Sequence, residues 1–126
     1  MARFTLAGDP QLSGSSLSWS AVLDPGTMEV AAAGSSVDTV DCWRMTSNDP
    51  TGNHADSELT NQFEMALRAD VMPGDSYTES VDLDLRDGYY HVLLSIDTTA
   101  SGSAVYELHV RVEDGNYELK SWHQSM

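Results

Sequence analysis

The sequence predicts an all-β chain folded as an antiparallel β-sandwich. Apolar residues recur at every second position in run after run, helix-period spacing is scarce, and Gly, Pro, Asp and Ser turn signals separate the runs. At 126 residues the chain is expected to form a single domain, 1–126, long enough to bury a core. An up-and-down β-barrel closed by the N-terminal strands is the alternative.

Along the chain, ARFTLAG and SLSWSAVLD read as strands and Asp24-Pro25-Gly26 as a turn; TMEVAAAG reads as strand or irregular chain. Val37 to Met45, VDTVDCWRM, is a further strand. These segments are expected to form the layer that covers the rest, because a sheet with one apolar face must bury it. SNDPTGNHADSE, residues 47 to 58, is a long polar loop of the kind that carries contacts. Its candidate partner-contact residues are Asn48, Asp49, Asn53, His54, Asp56 and Glu58.

The second half predicts a five-stranded meander over residues 63–123. Phe63, Met65, Leu67, Ala69 and Val71 alternate along a first strand, with a short helix as the lesser option around Ala66. Tyr77, Val81, Leu83 and Leu85 follow, then Tyr90, Val92, Leu94 and Ile96, then Tyr106, Leu108, Val110 and Val112, and finally Tyr117 and Leu119. Asp87-Gly88 and Asp114-Gly115 each carry the signal of a two-residue hairpin. Read literally, the first pairs Leu85 with Tyr90, Leu83 with Val92 and Val81 with Leu94; the second pairs Val112 with Tyr117 and Val110 with Leu119. The Thr98–Ala104 connection sets Val92 against Val110 and Leu94 against Leu108. The loop from Met72 to Ser76 sets Leu67 against Val81 and Met65 against Leu83. A one-residue slip would turn an apolar face outward, so agreement of faces across every turn supports the register.

That register argues against a calcium loop in DLDLRDG. With Leu83 and Leu85 turned inward, Asp82 and Asp84 project the other way, and the third aspartate comes one position later than D-x-D-x-D-G requires. On the outer face Asp84 is expected opposite His91, His91 opposite Arg111, Arg111 opposite Glu118, and His109 opposite Lys120. Glu64 opposite Asp84 would be a like-charge pair, relieved by a cation or by salt. His91, His109 and Glu107 share that face, on a diagonal. Two imidazoles and a carboxylate are metal-ligand types, but on an open sheet face the expectation is solvated partners of nearby charges. No catalytic residue, metal ligand or cofactor is therefore assigned. Gly-x-Ser-x-Gly, phosphate-loop and His-Glu-x-x-His patterns do not occur in the sequence, and a non-enzymatic role is expected. Trp122 is expected on the outer face beside Glu107, while Trp19 and Trp43 are expected to be buried. The single cysteine, Cys42, reads as a small core residue.

Twenty acidic residues, thirteen of them aspartate, stand against six basic ones, for a formal charge of −14. That balance speaks against a nucleic-acid partner, which needs clustered Lys and Arg. It fits life at high salt, where the screening length falls to about 3 Å at 1 M. No apolar run is long enough to span a bilayer as a helix, and MARFTLAGDPQ lacks the pattern of a secretory signal, so no membrane partner is expected and synthesis in the cytoplasm is.

The run Leu85-Arg86-Asp87-Gly88-Tyr89-Tyr90-His91-Val92 resembles the L-x-x-G-x-Y-x-V corner of immunoglobulin-like modules of the bacterial adhesin and polycystic-kidney-repeat kind. The resemblance implies that the sandwich is immunoglobulin-like; a jelly-roll-like sandwich is the other form expected. It also implies that Tyr90 caps a crossing between sheets and bonds back to the chain, with Leu85 and Val92 in the core. The literal Asp-Gly hairpin and the strand after Val112 depart from that pattern. Tailed viruses of bacteria and archaea use many signal-less sandwiches as capsid decoration or tail components. By that analogy the chain is expected in a virion, as a homo-oligomer or bound to a capsid or tail lattice. A carbohydrate- or small-ligand-binding β module is the alternative.

Overall fold

The computed structural model describes residues 4–24, 34–46, 57–98 and 102–125. Its ten strands are, in chain order, β1 (Phe4–Leu6), β2 (Gln11–Ser13), β3 (Ser16–Leu23), β4 (Gly34–Arg44), β5 (Glu58–Glu64), β6 (Arg68–Val71), β7 (Ser76–Asp82), β8 (Gly88–Thr98), β9 (Gly102–Glu113) and β10 (Asn116–Gln124). They form two antiparallel sheets, neither closed into a barrel. In the four-stranded sheet β3 is central, with β1 and β2 sharing one edge and β7 along the other. The six-stranded sheet runs β10-β9-β8-β4, with β5 and β6 sharing the far edge of β4.

Alternation builds the core. Leu17, Trp19, Ala21 and Leu23 of β3 point inward from the smaller sheet. Val40 and Cys42, then Tyr90, Val92, Leu94 and Ile96, then Tyr106, Leu108, Val110 and Val112 point inward from the larger one. A cluster contributed by both sheets is what a sandwich requires. Tyr106 also ties the layers by a hydrogen bond, its hydroxyl accepting from the Leu6 backbone N–H at 3.1 Å. Cys42 is fully buried, as expected, and burial pushes its thiol up to about 12, with Asp41 adding to the effect.

The five-stranded meander does not form. Only β8, β9 and β10 run consecutively in one sheet; β7 belongs to the other sheet, against β3, and β4 sits inside the larger sheet rather than in a covering layer. The reason lies in the turns. Asp114 and Gly115 both take positive φ, 53° and 77°, as a two-residue hairpin demands, and they pair Val112 with Tyr117 and Val110 with Leu119 as expected. At Asp87-Gly88 only the glycine has positive φ, at 155°, so the chain crosses between sheets instead of folding back. The segment expected as one strand from Phe63 to Val71 is broken. β5 and β6 both pair with β4, Asp70 has φ of 59°, and Leu67 is 59% exposed. Between β8 and β9 the ladder continues to Thr98 opposite Gly102, so Val92 faces Leu108 and Leu94 faces Tyr106. TMEVAAA, ahead of Gly34, lies outside the described residues.

The crossing from Leu83 to Asp87 has no strand partner, yet all five of its carbonyls and the N–H groups of Leu83, Asp84 and Leu85 are hydrogen-bonded, including both backbone groups of the buried Leu83 and Leu85. The Leu83 N–H donates to Ser15 O, and Asn61 Nδ2 donates to the carbonyls of Leu83 and Asp84. The Asp84 N–H donates to Asp82 Oδ1. The Tyr117 hydroxyl accepts from the Leu85 N–H at 2.6 Å and donates to the Leu85 carbonyl at 2.8 Å. The Tyr90 hydroxyl donates to Arg86 O at 2.7 Å, and Arg44 Nη2 donates to Asp87 O. Asp87 itself caps the following hairpin, its carboxylate accepting from the N–H groups of Asp114 and Gly115. Tyr90 thus caps the crossing and bonds back to the chain. Tyr90→Phe leaves one carbonyl without its donor and is expected to cost about 1–2 kcal/mol in urea unfolding, with the fold retained.

Candidate functional site

Two groups of polar side chains are held inside or against the sandwich. The first sits between the sheets. β4 alternates with Gly34, Ser36, Asp38, Val40 and Cys42 inward, so its parity buries a carboxylate. Asp38 is 3% exposed; Trp19 Nε1 donates to its Oδ2 at 3.1 Å and the Tyr77 hydroxyl donates to its oxygens at 2.9 and 3.0 Å. Ser36 Oγ completes the network 3.0 Å from the Tyr77 hydroxyl. The Arg68 guanidinium lies over the Tyr77 ring, 4.4 Å from its centroid, and pairs with Glu79. β3, β4 and β7 are thereby bolted together across the core.

Burial raises the Asp38 carboxyl above the ordinary carboxylate range, and the hydrogen bonds from Trp19 and Tyr77 offset only part of that. The folded state therefore holds the proton more tightly than the unfolded chain. Its contribution to stability is full below the unfolded value of about 3.9 and is lost as pH rises through the raised folded value. Asp38→Asn removes this titration. In urea unfolding as a function of pH the variant is expected to gain on the parent as pH rises above about 4.

The second group lies on the outer face of the larger sheet. His91 of β8 is directly opposite His109 of β9, not opposite Arg111, because of the shifted β8–β9 register. Glu107 is the next outward residue on β9 and faces both rings: its Oε1 is 3.3 Å from His91 Nδ1 and 3.8 Å from His109 Nε2. A β-bulge between Leu119 and Ser121 then resets β10, so Ser121 rather than Lys120 pairs with His109, Trp122 pairs with Leu108 and His123 with Glu107. Trp122 turns inward against the core, its ring 6.3 Å from that of Tyr106, which corrects its expected outer position. His123 turns outward instead, and its Nε2 is 3.3 Å from Glu107 Oε2. Three of the four histidines of the chain thus surround one carboxylate.

These side chains are not the solvated partners expected of an open face. His91 is 2% exposed and His109 6%, and their rings meet edge to face at 4.6 Å. His109 stacks on His123 at 5.9 Å. Trp43, the register partner of His91 on β4, continues the row. Ligand atoms of His91, Glu107 and His109 lie within 4.8 Å of one another, making this the group of metal-ligand types found among the described residues.

Other expected outer pairs resolve differently. Arg111 does face Glu118, but Glu64 faces Thr39, and Asp84 has left the sheets for the crossing with φ of 48°. Of the contact loop, Asn48, Asp49, Asn53, His54 and Asp56 lie outside the described residues. Glu58 opens β5, is exposed, and lines a shallow cleft of about 370 Å³ with Asn61, Asp84, Arg86 and Tyr90. Comparison with protein-family models, curated proteins and solved structures returned no match.

Proposed function

We propose that the chain is a non-enzymatic structural module of immunoglobulin-like kind, serving in a tailed virus as a capsid decoration or tail component and suited to a halophilic host. The observation that supports this best is the crossing between the sheets, where the Tyr90 hydroxyl donates to the carbonyl of Arg86 on the L-x-x-G-x-Y-x-V pattern. The step from such a corner to a virion role is analogy at the level of fold. Among the described residues β7 pairs only with β3 and β10 only with β9, so each leaves an edge to which another copy or a lattice strand can add. A charge of −14 opposes such contacts in dilute buffer and is screened at high salt.

Light scattering in molar salt tests the reading. A symmetric oligomer, or attachment to a capsid or tail particle, is the expected result; a strict monomer that attaches to no particle overturns it. The cleft beside Glu58 favours a second reading, a carbohydrate- or small-ligand-binding module. A saturable change in tryptophan fluorescence on titration with glycans would move the assignment there.

A further inference from the structure

We infer that His91, Glu107, His109 and His123 form a binding site for a zinc-class divalent cation that staples β8, β9 and β10 together. Three features converge on it. The donor set is three imidazoles and one carboxylate, the borderline nitrogen and oxygen ligands that suit Zn²⁺ and its first-row neighbours and not Ca²⁺ or Mg²⁺, which take oxygen shells. The spacing is near that of a bound ion: ligands about 2.0–2.2 Å from a tetrahedral zinc lie about 3.3–3.6 Å apart, and the ligand atoms of His91, Glu107 and His109 lie within 4.8 Å of one another, so that a small side-chain movement closes them on a cation. His91 Nδ1 and His109 Nε2 stand 3.3 and 3.8 Å from Glu107 Oε1, and His123 Nε2 stands 3.3 Å from Glu107 Oε2.

The third feature is the bulge. A regular ladder beyond Leu119 would put Trp122 outside and His123 inside; the extra residue in β10 reverses both, filling the core with the indole and bringing a third imidazole to Glu107. Bulges re-aim side chains in this way beside functional sites. His91, Glu107 and His109 form the close group, and His123, held at the other Glu107 oxygen, is the fourth donor that would close the coordination sphere, the pattern of a structural centre rather than a catalytic one. Two of the imidazoles are more than nine-tenths buried, and His123, 55% exposed on its side chain, closes the site from the solvent side. The ion would fix β10, an edge strand, to the body of the sheet.

The test uses the full chain stripped with chelator and titrated with Co²⁺, whose visible absorption reports coordination geometry. One equivalent is expected to give the intense bands of a tetrahedral nitrogen-ligated site, to be displaced by Zn²⁺, and to resist millimolar Ca²⁺ or Mg²⁺. Saturating Zn²⁺ is expected to raise the unfolding temperature by roughly 5–10 °C at a hundredfold excess over its Kd. His91 and His109 are buried and their variants risk the fold, so the informative variants are His123→Asn and Glu107→Gln. Each is expected to weaken Co²⁺ binding at least roughly tenfold, since even loss of a residue that only orients a ligand has that effect. His54→Asn is expected to bind as the parent does. Weak octahedral absorption, displacement by Ca²⁺ or Mg²⁺, full affinity in both cluster variants, or loss of binding in His54→Asn would each overturn the assignment.

Discussion

Asp38→Ala is expected to destabilise the protein by about 2–4 kcal/mol in urea unfolding near pH 5. Truncation removes the acceptor of two buried donors at once, the Trp19 indole N–H and the Tyr77 hydroxyl. Tyr77 can turn to Ser36 Oγ, already 3.0 Å away, which keeps the loss below two full desolvation penalties. Trp19, 2% exposed, has no such recourse. Asp38→Asn keeps an acceptor for the indole and is expected to cost less than half as much. A double-mutant cycle of Asp38→Ala with Trp19→Phe, which removes the donor, is expected to be strongly non-additive. Additive losses would show that the bond across the core contributes nothing.

Leu83→Ala is expected to cost about 2–5 kcal/mol, whereas Leu67→Ala changes stability by about 0.5 kcal/mol or less. The two leucines are equivalent in the alternating pattern of the sequence, both on the inward face of a continuous meander. In the structure Leu83 is fully buried in the crossing, while Leu67, in the break between β5 and β6, is 59% exposed. Equal losses at the two positions, read from urea midpoints, would restore Leu67 to the core and contradict the break.

The contrast shows what alternation conveys. Inward and outward parity was legible for β8, β9 and the start of β10, because Tyr, Leu, Val and Ile every second residue leave one solution. Sheet membership was not, since parity states which face is buried and not which strand lies beside it. The Asp-Gly pair at 87–88 has the chemistry of a hairpin, and only the hydrogen bonds from Asn61, Tyr90 and Tyr117 to the crossing show why the chain continues to the other sheet.

The corner resemblance and the literal hairpin gave opposite readings of the same eight residues. The literal hairpin does not form: the chain crosses between the sheets there, with the Tyr90 hydroxyl donating to Arg86 O. Asp38 carries no sequence signal of burial, because the inward face of β4 starts with Gly34, Ser36 and Asp38 and hydrophobicity alone does not mark that face as buried. His91, Glu107 and His109 were placed on one face from parity, but their direct opposition depended on the β8–β9 register. His123 depended on a bulge that has no composition signal at Lys120. Of the six candidate contact residues of the loop, Glu58 is the one among the described residues, and it lies at a cleft edge rather than in a cluster.

The placement of β7 decides between a sandwich and a meander, and with it the burial of Asp38 and the role of Tyr90. Cross-strand nuclear Overhauser effects between backbone protons test it most directly. The sandwich predicts contacts of Val81 with Leu17 and of Glu79 with Trp19, and none of Val81 with Leu94. Contacts of Val81 with Leu94 and of Leu83 with Val92, in place of those to β3, would contradict it.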